Sequence, residues 1–389
     1  MKISVGVFFG GKSVEHEVSI ISAMQVINAL DKEKYDIIPV YISKDNKFYY
    51  SDKLNDVSYF KDLEEVKKES MEVYFTHSNS RMIMHSVNSI FKKKVAKIDV
   101  AFPVVHGLNV EDGTLQGFFE MYNIPYVGPD VSASSVGMNK IIFKKVLEAS
   151  NIPVIEYFEV SSYEFEEDYK TVFENIKEKL GLPIILKPAN LGSSIGIEIV
   201  KEDTEFKTKM ENVFLFTDKV LVERCVTNLR EINCSVLGDC KNQEVSILEE
   251  PVKEDEILSF NDKYMSGSVS KKCGSKLEGM ASLSRKIPAD LDEKKTQEIY
   301  NLSKEVFKLL GCEGVSRIDF IIDVNKDKVF VNEINTIPGS LSFYLWEKKD
   351  ISFAKLCDNL IKIAIKRNER RGKITYSHNV NILNMTGKK

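Results

Sequence analysis

The stretch 315–335, VSRIDFIIDVNKDKVFVNEIN, restricts what this chain can fold into more than any other. Two apolar, β-branched runs meet at Asn325-Lys326-Asp327, so the segment reads as a hairpin. A three-residue turn pairs Val324 with Lys328, which sets Asp319 opposite Glu333 and Arg317 opposite Asn335. Side chains two apart on a strand share a face, as do directly opposed ones, so all four converge. A slip of one residue would scatter them. The neighbouring Ile318, Phe320, Ile321, Phe330, Val331 and Ile334 are apolar, which predicts central rather than edge strands. An Asp, a Glu and an Asn together supply the hard oxygen donors that Mg²⁺ prefers, and a divalent cation relieves the repulsion of two facing carboxylates. Arg317 adds a fixed positive charge suited to an anion that develops during a reaction. The plainer alternative is a solvated face laced by an arginine–acid pair. Pro338-Gly339 then predicts a sharp turn whose N–H can point back at the same spot.

The rest of the chain supplies the frame. Its 389 residues, 43% of them hydrophobic, leave room for about two or three domains. A net charge of −4 gives no footprint for nucleic acid or an anionic membrane. No stretch approaches the roughly 20 apolar residues of a membrane span. The opening MKISVGVFFGGKS reads as a first strand rather than a signal peptide. Cys225, Cys234, Cys240, Cys273, Cys312 and Cys357 form neither a CxxC pair nor a metal spacing, the pattern of reduced thiols in a cytoplasmic protein. Strand 2–9, a Gly-rich turn, a helix from about Val18 to Leu30 and strand 36–43 make a βαβ unit, hence a parallel sheet. Residues 45–97 read as an insertion with short strands, and 98–106 as a further buried strand. Helices are predicted at 139–150, 163–180, 292–310 and 352–366, and mixed strands between 184 and 250. The class is therefore α/β with α+β. Residues 260–287 are rich in Gly, Ser and Lys and read as a long loop that is either disordered or a functional lid, while 376–389 read as a peripheral tail.

Three further loops carry candidate chemistry. In LPIILKPANLGSSIGI, Lys187 ends a strand and the small residues after it allow backbone N–H groups to approach phosphate oxygens, although a Gly-Ser turn after a strand is also ordinary structure. In VFFGGKSVEHEVS, Glu15 is either a dipole-favoured acid at a helix start or a receptor for a substrate ammonium. His16 is either a catalytic base or a surface or capping residue. In VVHGLNVEDGTLQG, His106 ends a strand, and Glu111 and Asp112 read as caps for the following helix. Lys140, Lys187 and Lys263 acquire meaning only together, as a surround for a triphosphate. Glu223, and Glu231 after it, either accept from an adenine amino group or a ribose hydroxyl, or are surface acids.

Taken in order, GGKSVEHEVSIISA, FPVVHGLNVEDGTLQGFFEMYNIPYVG, SSVGMNKIIFKKVL, ILKPANLGSSIGI, VLVERCV, REINCSVLG, DKYMSG, SRIDF and VNEINTIPG resemble the D-alanine–D-alanine ligase family of the ATP-grasp superfamily. The resemblance implies an ATP-grasp fold preceded by a Rossmann-like parallel-sheet domain. It divides the chain into 1–128, with the insertion at about 45–97, then 129–220, then 221–375 carrying a lid at 260–287. It also implies an activity: ATP phosphorylates the carboxylate of one D-alanine, and the amine of a second attacks the acyl phosphate to give a peptidoglycan precursor. On this resemblance Glu15, Ser193 and Tyr264 surround the first ammonium, and His106 lines the first-substrate side. Lys140, Lys187, Lys263 and the backbone of Ser194 bind phosphates, and Glu223 and Glu231 hold adenine and ribose. Asp319, Glu333 and Asn335 hold two Mg²⁺ ions, for which Mn²⁺ can substitute, while Arg317 and the amide of Gly339 stabilise the oxyanion. Ser340, Tyr344 and Leu345 face the second substrate. A cytoplasmic homodimer acting on small D-amino acids is implied as well.

The chain departs from the family pattern at informative places. Val110 replaces the first Gly of Gly-Glu-Asp-Gly, Asn139 replaces the Asp of Met-Asp-Lys, and one extra residue separates Glu223 from Glu231. After the Pro-Gly, Phe343 and Tyr344 stand where a His and a Ser are expected, in the stretch that grips the second substrate. D-Alanine leads as that substrate, with D-serine, D-lactate or another amine open. A non-catalytic nucleotide-binding relative is the competing class.

Overall fold

The computed structural model describes residues 2–78, 81–88, 94–252 and 285–377. The βαβ reading of the N-terminus sets the first layer. Strand β1 (Ile3–Gly10) pairs in parallel with β2 (Tyr35–Ile42) and with β7 (Val100–Val104), and α1 (His16–Ala29) crosses between the first two. The insertion extends this sheet. β3 (Phe48–Tyr50), β4 (Met71–Ser78), β5 (Arg81–Ser86) and β6 (Lys94–Ile98) form an antiparallel meander beyond β2, with helix α2 (Leu63–Glu69) on the way, in the order β6-β5-β4-β3-β2-β1-β7. Helices α3 (Thr114–Met121), α4 (Val131–Met138) and α5 (Lys140–Ala149) lead out of it.

The second sheet holds β8 (Tyr157–Ser161), β9 (Ile184–Pro188), β10 (Glu198–Val200) and β11 (Lys219–Arg224) in the order β10-β9-β11-β8. Every other side chain on these strands, including Val160, Ile184, Leu186, Val220 and Val222, packs on Phe165, Phe173 and Ile176 of α6 (Ser162–Leu180) and on Phe206, Met210 and Val213 of α7 (Phe206–Phe214). The third sheet comprises β12 (Leu229–Gly238), β13 (Gln243–Val245), β16 (Gly314–Asp323) and β17 (Lys328–Asn335) in the order β13-β12-β16-β17, and β14 (Glu250–Pro251) pairs with β15 (Arg285–Lys286) beside it. Ile232, Cys234, Ile318, Phe320, Val331 and Ile334 turn to a core shared with Ile299, Val306 and Phe307 of α8 (Glu293–Leu309). Each of these two sheets thus spends its apolar face on its own helices and turns polar residues toward a common cleft. After a short turn and α9 (Phe343–Glu347), the long α10 (Phe353–Arg371) returns to the first sheet, where Leu356, Leu360 and Ile361 join the N-terminal core.

The hairpin has the expected pairs, reached by an unexpected route. Asp319 faces Glu333 and Arg317 faces Asn335. Near the turn, however, Asp323 rather than Val324 pairs with Lys328, so the loop is one residue longer than expected. A β-bulge between Asp319 and Phe320 restores the register, because Phe320 pairs with Val331 and Asn332 is the extra residue. The tail from 378 onward and most of the 260–287 loop lie outside the described residues.

Candidate active site

The cleft between the second and third sheets holds a cavity of about 570 Å³, closed on one side by loops of the N-terminal layer. Its floor is a three-strand wall. Glu231 and Asn233 on β12, Arg317 and Asp319 on β16, and Glu333 and Asn335 on β17 all line it. Asn233 sits opposite Asp319, which sits opposite Glu333, so the central row runs straight across the sheet. The bulge adds Asn332 to the same lining, a contribution that a regular strand would have turned into the core.

Charge on this wall is unbalanced. Arg317 forks onto Asp319, with Nε to Oδ1 and Nη2 to Oδ2 both at 2.7 Å, and Asn335 Nδ2 donates to Asp319 Oδ2 at 3.0 Å. Burial nevertheless pushes the Asp319 carboxyl up. Arg317 pulls it back, and the Glu333 and Glu249 carboxylates add to the upward shift. More negative charge is gathered here than one guanidinium offsets. The donor set, two carboxylates and an amide oxygen, is the chemistry a hard divalent cation takes, so these residues fit such an ion. Among the described residues no three His, Cys, Asp or Glu side chains cluster for a metal, because the third donor here is an amide.

The facing wall is balanced. Glu223 on β11 is 1% exposed and carries Lys144 of α5 on one carboxylate oxygen and Lys187 of β9 on the other. Burial opposes ionisation, but the two ammonium groups outweigh it and hold the Glu223 carboxyl down at about 2. Glu223 is not among the residues that line the cavity, and its carboxylate holds Lys144 and Lys187. Lys187 does line the cavity, with Nζ 3.4 Å from Asn332 Oδ1. Lys140 Nζ donates to Leu191 O at 2.7 Å and lies 3.4 Å from Glu333 Oε2, which ties the two walls together. Glu231 lines the cavity as expected of it, on β12 opposite Ile321.

At the N-terminal edge, Ser193 Oγ donates to Glu15 Oε1 across a long sequence interval. Ser193 and Ser194 both sit at left-handed φ, 53° and 58°, which turns the loop 191–196 back over the cleft. Gly192 must lack a side chain, since a Cβ there would stand 2.9 Å from Glu15 Oε2. His16 is fully buried, with Nδ1 2.7 Å from Gly11 O and Nε2 3.1 Å from the Tyr41 hydroxyl. It is thus neither a surface residue nor a cleft base.

The turn after β17 is clamped from both sides. His106 Nδ1 donates to Ile337 O at 2.9 Å, so Nε2 is left to accept from Ser22 Oγ at 3.0 Å, and Ser22 Oγ accepts from the Ser340 amide at 3.1 Å. Glu111 accepts from the Ile337 amide at 2.8 Å, from Thr336 Oγ1 at 3.1 Å and from the Gly107 amide at 3.0 Å. Glu111 is therefore a clamp rather than the expected cap; Asp112 accepts from the Thr114 amide at 3.1 Å instead. Burial lowers His106 to about 4, and burial with the nearby Glu15 raises Glu111 to about 7.

Gly339 lines the cavity, whereas Ser340, Tyr344 and Leu345 are buried behind it. Ser340, Leu341 and Ser342 all take left-handed φ near 50°, and this tight coil carries Ser340 and Leu345 inside, where they are 1% and 0% exposed. The Tyr344 hydroxyl donates to Glu249 Oε1 at 2.8 Å. Lys263 and Tyr264 lie outside the described residues.

Comparison with known proteins covers most of the chain. Family models described as D-ala D-ala ligase N-terminus and D-ala D-ala ligase C-terminus match residues 4–129 and 146–362. A D-alanine–D-alanine ligase of Thermosipho melanesiensis is 41% identical over 94% of each chain. The solved D-alanine–D-alanine ligase of Coxiella burnetii superposes with a TM-score of 0.79 at 30% identity, covering 96% of each chain. The VanG D-Ala:D-Ser ligase of Enterococcus faecalis superposes with a TM-score of 0.76 at 29% identity, over 94% of this chain and all of that one. No helix among the described residues is long and apolar enough to cross a membrane. With both halves of its length matched in order and a cleft built from the same stretches, the chain belongs to the D-alanine–D-alanine ligase family.

Proposed function

We propose that this cleft joins two D-alanines in an ATP-driven reaction that passes through an acyl phosphate. An oxygen of the first D-alanine's carboxylate attacks the γ-phosphorus, and ADP leaves. The amine of the second attacks the acyl carbon, loses a proton, and phosphate departs with the donor's oxygen. Glu15, oriented by Ser193, receives the first ammonium. Lys140, Lys187 and the Ser194 backbone receive phosphate oxygens, and Glu231 a ribose hydroxyl. Asp319, Glu333 and Asn335 would hold Mg²⁺, which when bound neutralises charge on the transferring phosphoryl group. Arg317 and the Gly339 amide face the developing oxyanion, and the His106–Glu111 clamp keeps that amide in place. The dipeptide is a peptidoglycan precursor made in the cytoplasm. The working form is a homodimer, which sedimentation at micromolar concentration would report as twice the chain mass.

One observation carries the reading. Within a single cavity, an acid-rich wall with one forked arginine faces a lysine-bearing wall, and the Glu15–Ser193 pair closes the edge. The test follows phosphate release and product mass together, with ATP, Mg²⁺ and D-alanine. Dipeptide and phosphate should form in equal amounts. In R317A dipeptide formation should be lost while ATP binding persists, and a variant that turns over normally removes Arg317 from the chemistry.

A further inference from the structure

The edge of the cleft proposed to receive the first ammonium leaves Glu15 no slack. Glu15 is 7% exposed, and its Oε1 accepts from Ser193 Oγ. A Cβ on Gly107 would stand 3.0 Å from Glu15 Oε2, and one on Gly192 would stand 2.9 Å from it. Backbone thus crowds the carboxylate from the loop after β7 and from the loop after β9, and a shift of Glu15 cannot be taken up by turning its side chain. Its place is set by the short segment between β1 and α1 that carries it.

That segment is tied down by the buried His16, the first residue of α1. A carbonyl oxygen only accepts, so His16 Nδ1 carries the proton and donates to Gly11 O at 2.7 Å, which leaves Nε2 to accept from the Tyr41 hydroxyl at 3.1 Å. Burial holds the ring's pKa below its ordinary 6.5, so it is neutral at pH 7. The bond to Gly11 closes residues 11–16 into a loop. Within it the Ser13 amide donates to Gly11 O at 3.0 Å, the Glu15 amide to Ser13 Oγ at 3.1 Å and the His16 amide to Ser13 O at 3.3 Å. Gly11 is itself anchored in the first sheet, because its amide donates to Ile42 O at 2.7 Å, and its φ of +98° suits a residue without a side chain. Glu15 stands at the N-cap of α1 without capping it, so its carboxylate faces the cleft and not the helix.

We infer that His16 is a positioning residue for the first substrate: through its bond to Gly11 O it sets where Glu15 stands to receive the ammonium. The inference rests on the ligase reading above and adds to it a residue that no substrate touches. The two bonds of the one imidazole have separable consequences. The bond to Gly11 fixes the Glu15 turn, whereas the bond to Tyr41 fixes only the ring within the N-terminal core.

The test uses the full-length enzyme with ATP, Mg²⁺ and D-alanine. Dipeptide rates over a wide range of D-alanine resolve one KM for the first substrate and one for the second, and the melting temperature is recorded beside them. A glutamine amide reaches the place of Nε2, and an asparagine amide the place of Nδ1. H16Q therefore loses the bond to Gly11, and its first-substrate KM should rise roughly tenfold or more, while the KM values for ATP and the second substrate stay within about twofold. H16N restores a donor to Gly11 and should recover most of that loss. Y41F breaks the other bond and should melt lower than the wild type, with the first-substrate KM within about twofold. An unchanged first-substrate KM in H16Q, an equal rise in H16N, or equal rises in all three KM values overturns the inference. So does a first-substrate KM that simply follows the melting temperature across the three variants. If H16Q does not fold, H16N carries the test: a first-substrate KM within about fivefold of the wild type upholds the inference, and a larger rise overturns it. Failure of the wild type to make any dipeptide from D-alanine would instead overturn the ligase reading beneath it.

Discussion

The two walls of the cleft each bury carboxylates, and they handle them in opposite ways. Glu223 has two ammonium groups for one negative charge and is held at about 2. Asp319 has only the Arg317 guanidinium, while Glu333 and Glu249, each with a cation of its own in Lys140 and Arg285, lie close enough that burial and their charges push its carboxyl up. A buried carboxylate whose partners are all side chains is a finished structural element. One whose partners fall short is a site that waits for a cation. The contrast separates residues that hold the cleft in shape from those that work in it, although both types look alike in the sequence.

Changing the unbalanced wall should break the chemistry first. E333Q should lose about 1,000-fold or more in dipeptide formation, since it removes a charge that neutralises the phosphoryl group only through a cation. Without divalent ions, the same variant should melt close to the wild-type temperature, because the repulsion with Asp319 that it removes is offset by the ion pair with Lys140 that it loses. A large drop in melting temperature for E333Q in EDTA would make Glu333 a structural partner of Lys140 first.

Changing the balanced wall should break the fold instead. Lys144 is 1% exposed, and burial, with the neighbouring Lys187, opposes its charge. K144M leaves Glu223 with one cation and should cost about 3–5 kcal/mol of stability, read by denaturant unfolding and independent of Mg²⁺. The surviving protein should show a raised KM for ATP, because Glu223 without Lys144 no longer holds Lys187 in a fixed position, with little change in the KM for D-alanine. Equal changes in both would argue for general loosening.

The clamp on Ile337 gives a subtler comparison within one loop. His106 is lowered to about 4, so neutral His106 stabilises the fold above its unfolded value of 6.5, and that stability is lost as pH falls through 4. Glu111 is raised to about 7, so its contribution is complete below 4.5 and is lost as pH rises through 7. The two slopes oppose each other across the same window, so this pair adds little net pH dependence between pH 4.5 and 6.5. E111Q removes one slope, so its stability relative to the wild type should climb with pH by on the order of 3 kcal/mol over that range, measured by urea unfolding. A difference between the two profiles that does not change with pH would mean that Glu111 is not raised by its burial.

The sequence showed the hairpin pairs because alternation and opposition are local rules, and it placed Glu15 and Lys187 beside loops that follow strands, while Ser193 and Lys140 came from the family resemblance. It gave the turn one residue too few, and an unseen bulge at Asn332 cancelled that error. Such compensation leaves no trace in hydrophobic periodicity. Lys144 reads as an ordinary polar position of a helix until β11 brings Glu223 against it. Glu249, Arg285 and Tyr344 are scattered along the chain and meet only when the β12 bridge and the left-handed coil after Gly339 assemble them. Glu111 looked like a cap because acids before helices usually are caps; its partners at 336 and 337 lie just past the end of β17, far along the chain.

The acyl phosphate is the step that gives every cleft residue its assigned task, and isotope transfer reads it directly. D-Alanine labelled with ¹⁸O in its carboxylate should be supplied with unlabelled ATP and Mg²⁺, and the released phosphate weighed. One ¹⁸O per phosphate, matched to one dipeptide, is the predicted result; phosphate without label would contradict the account.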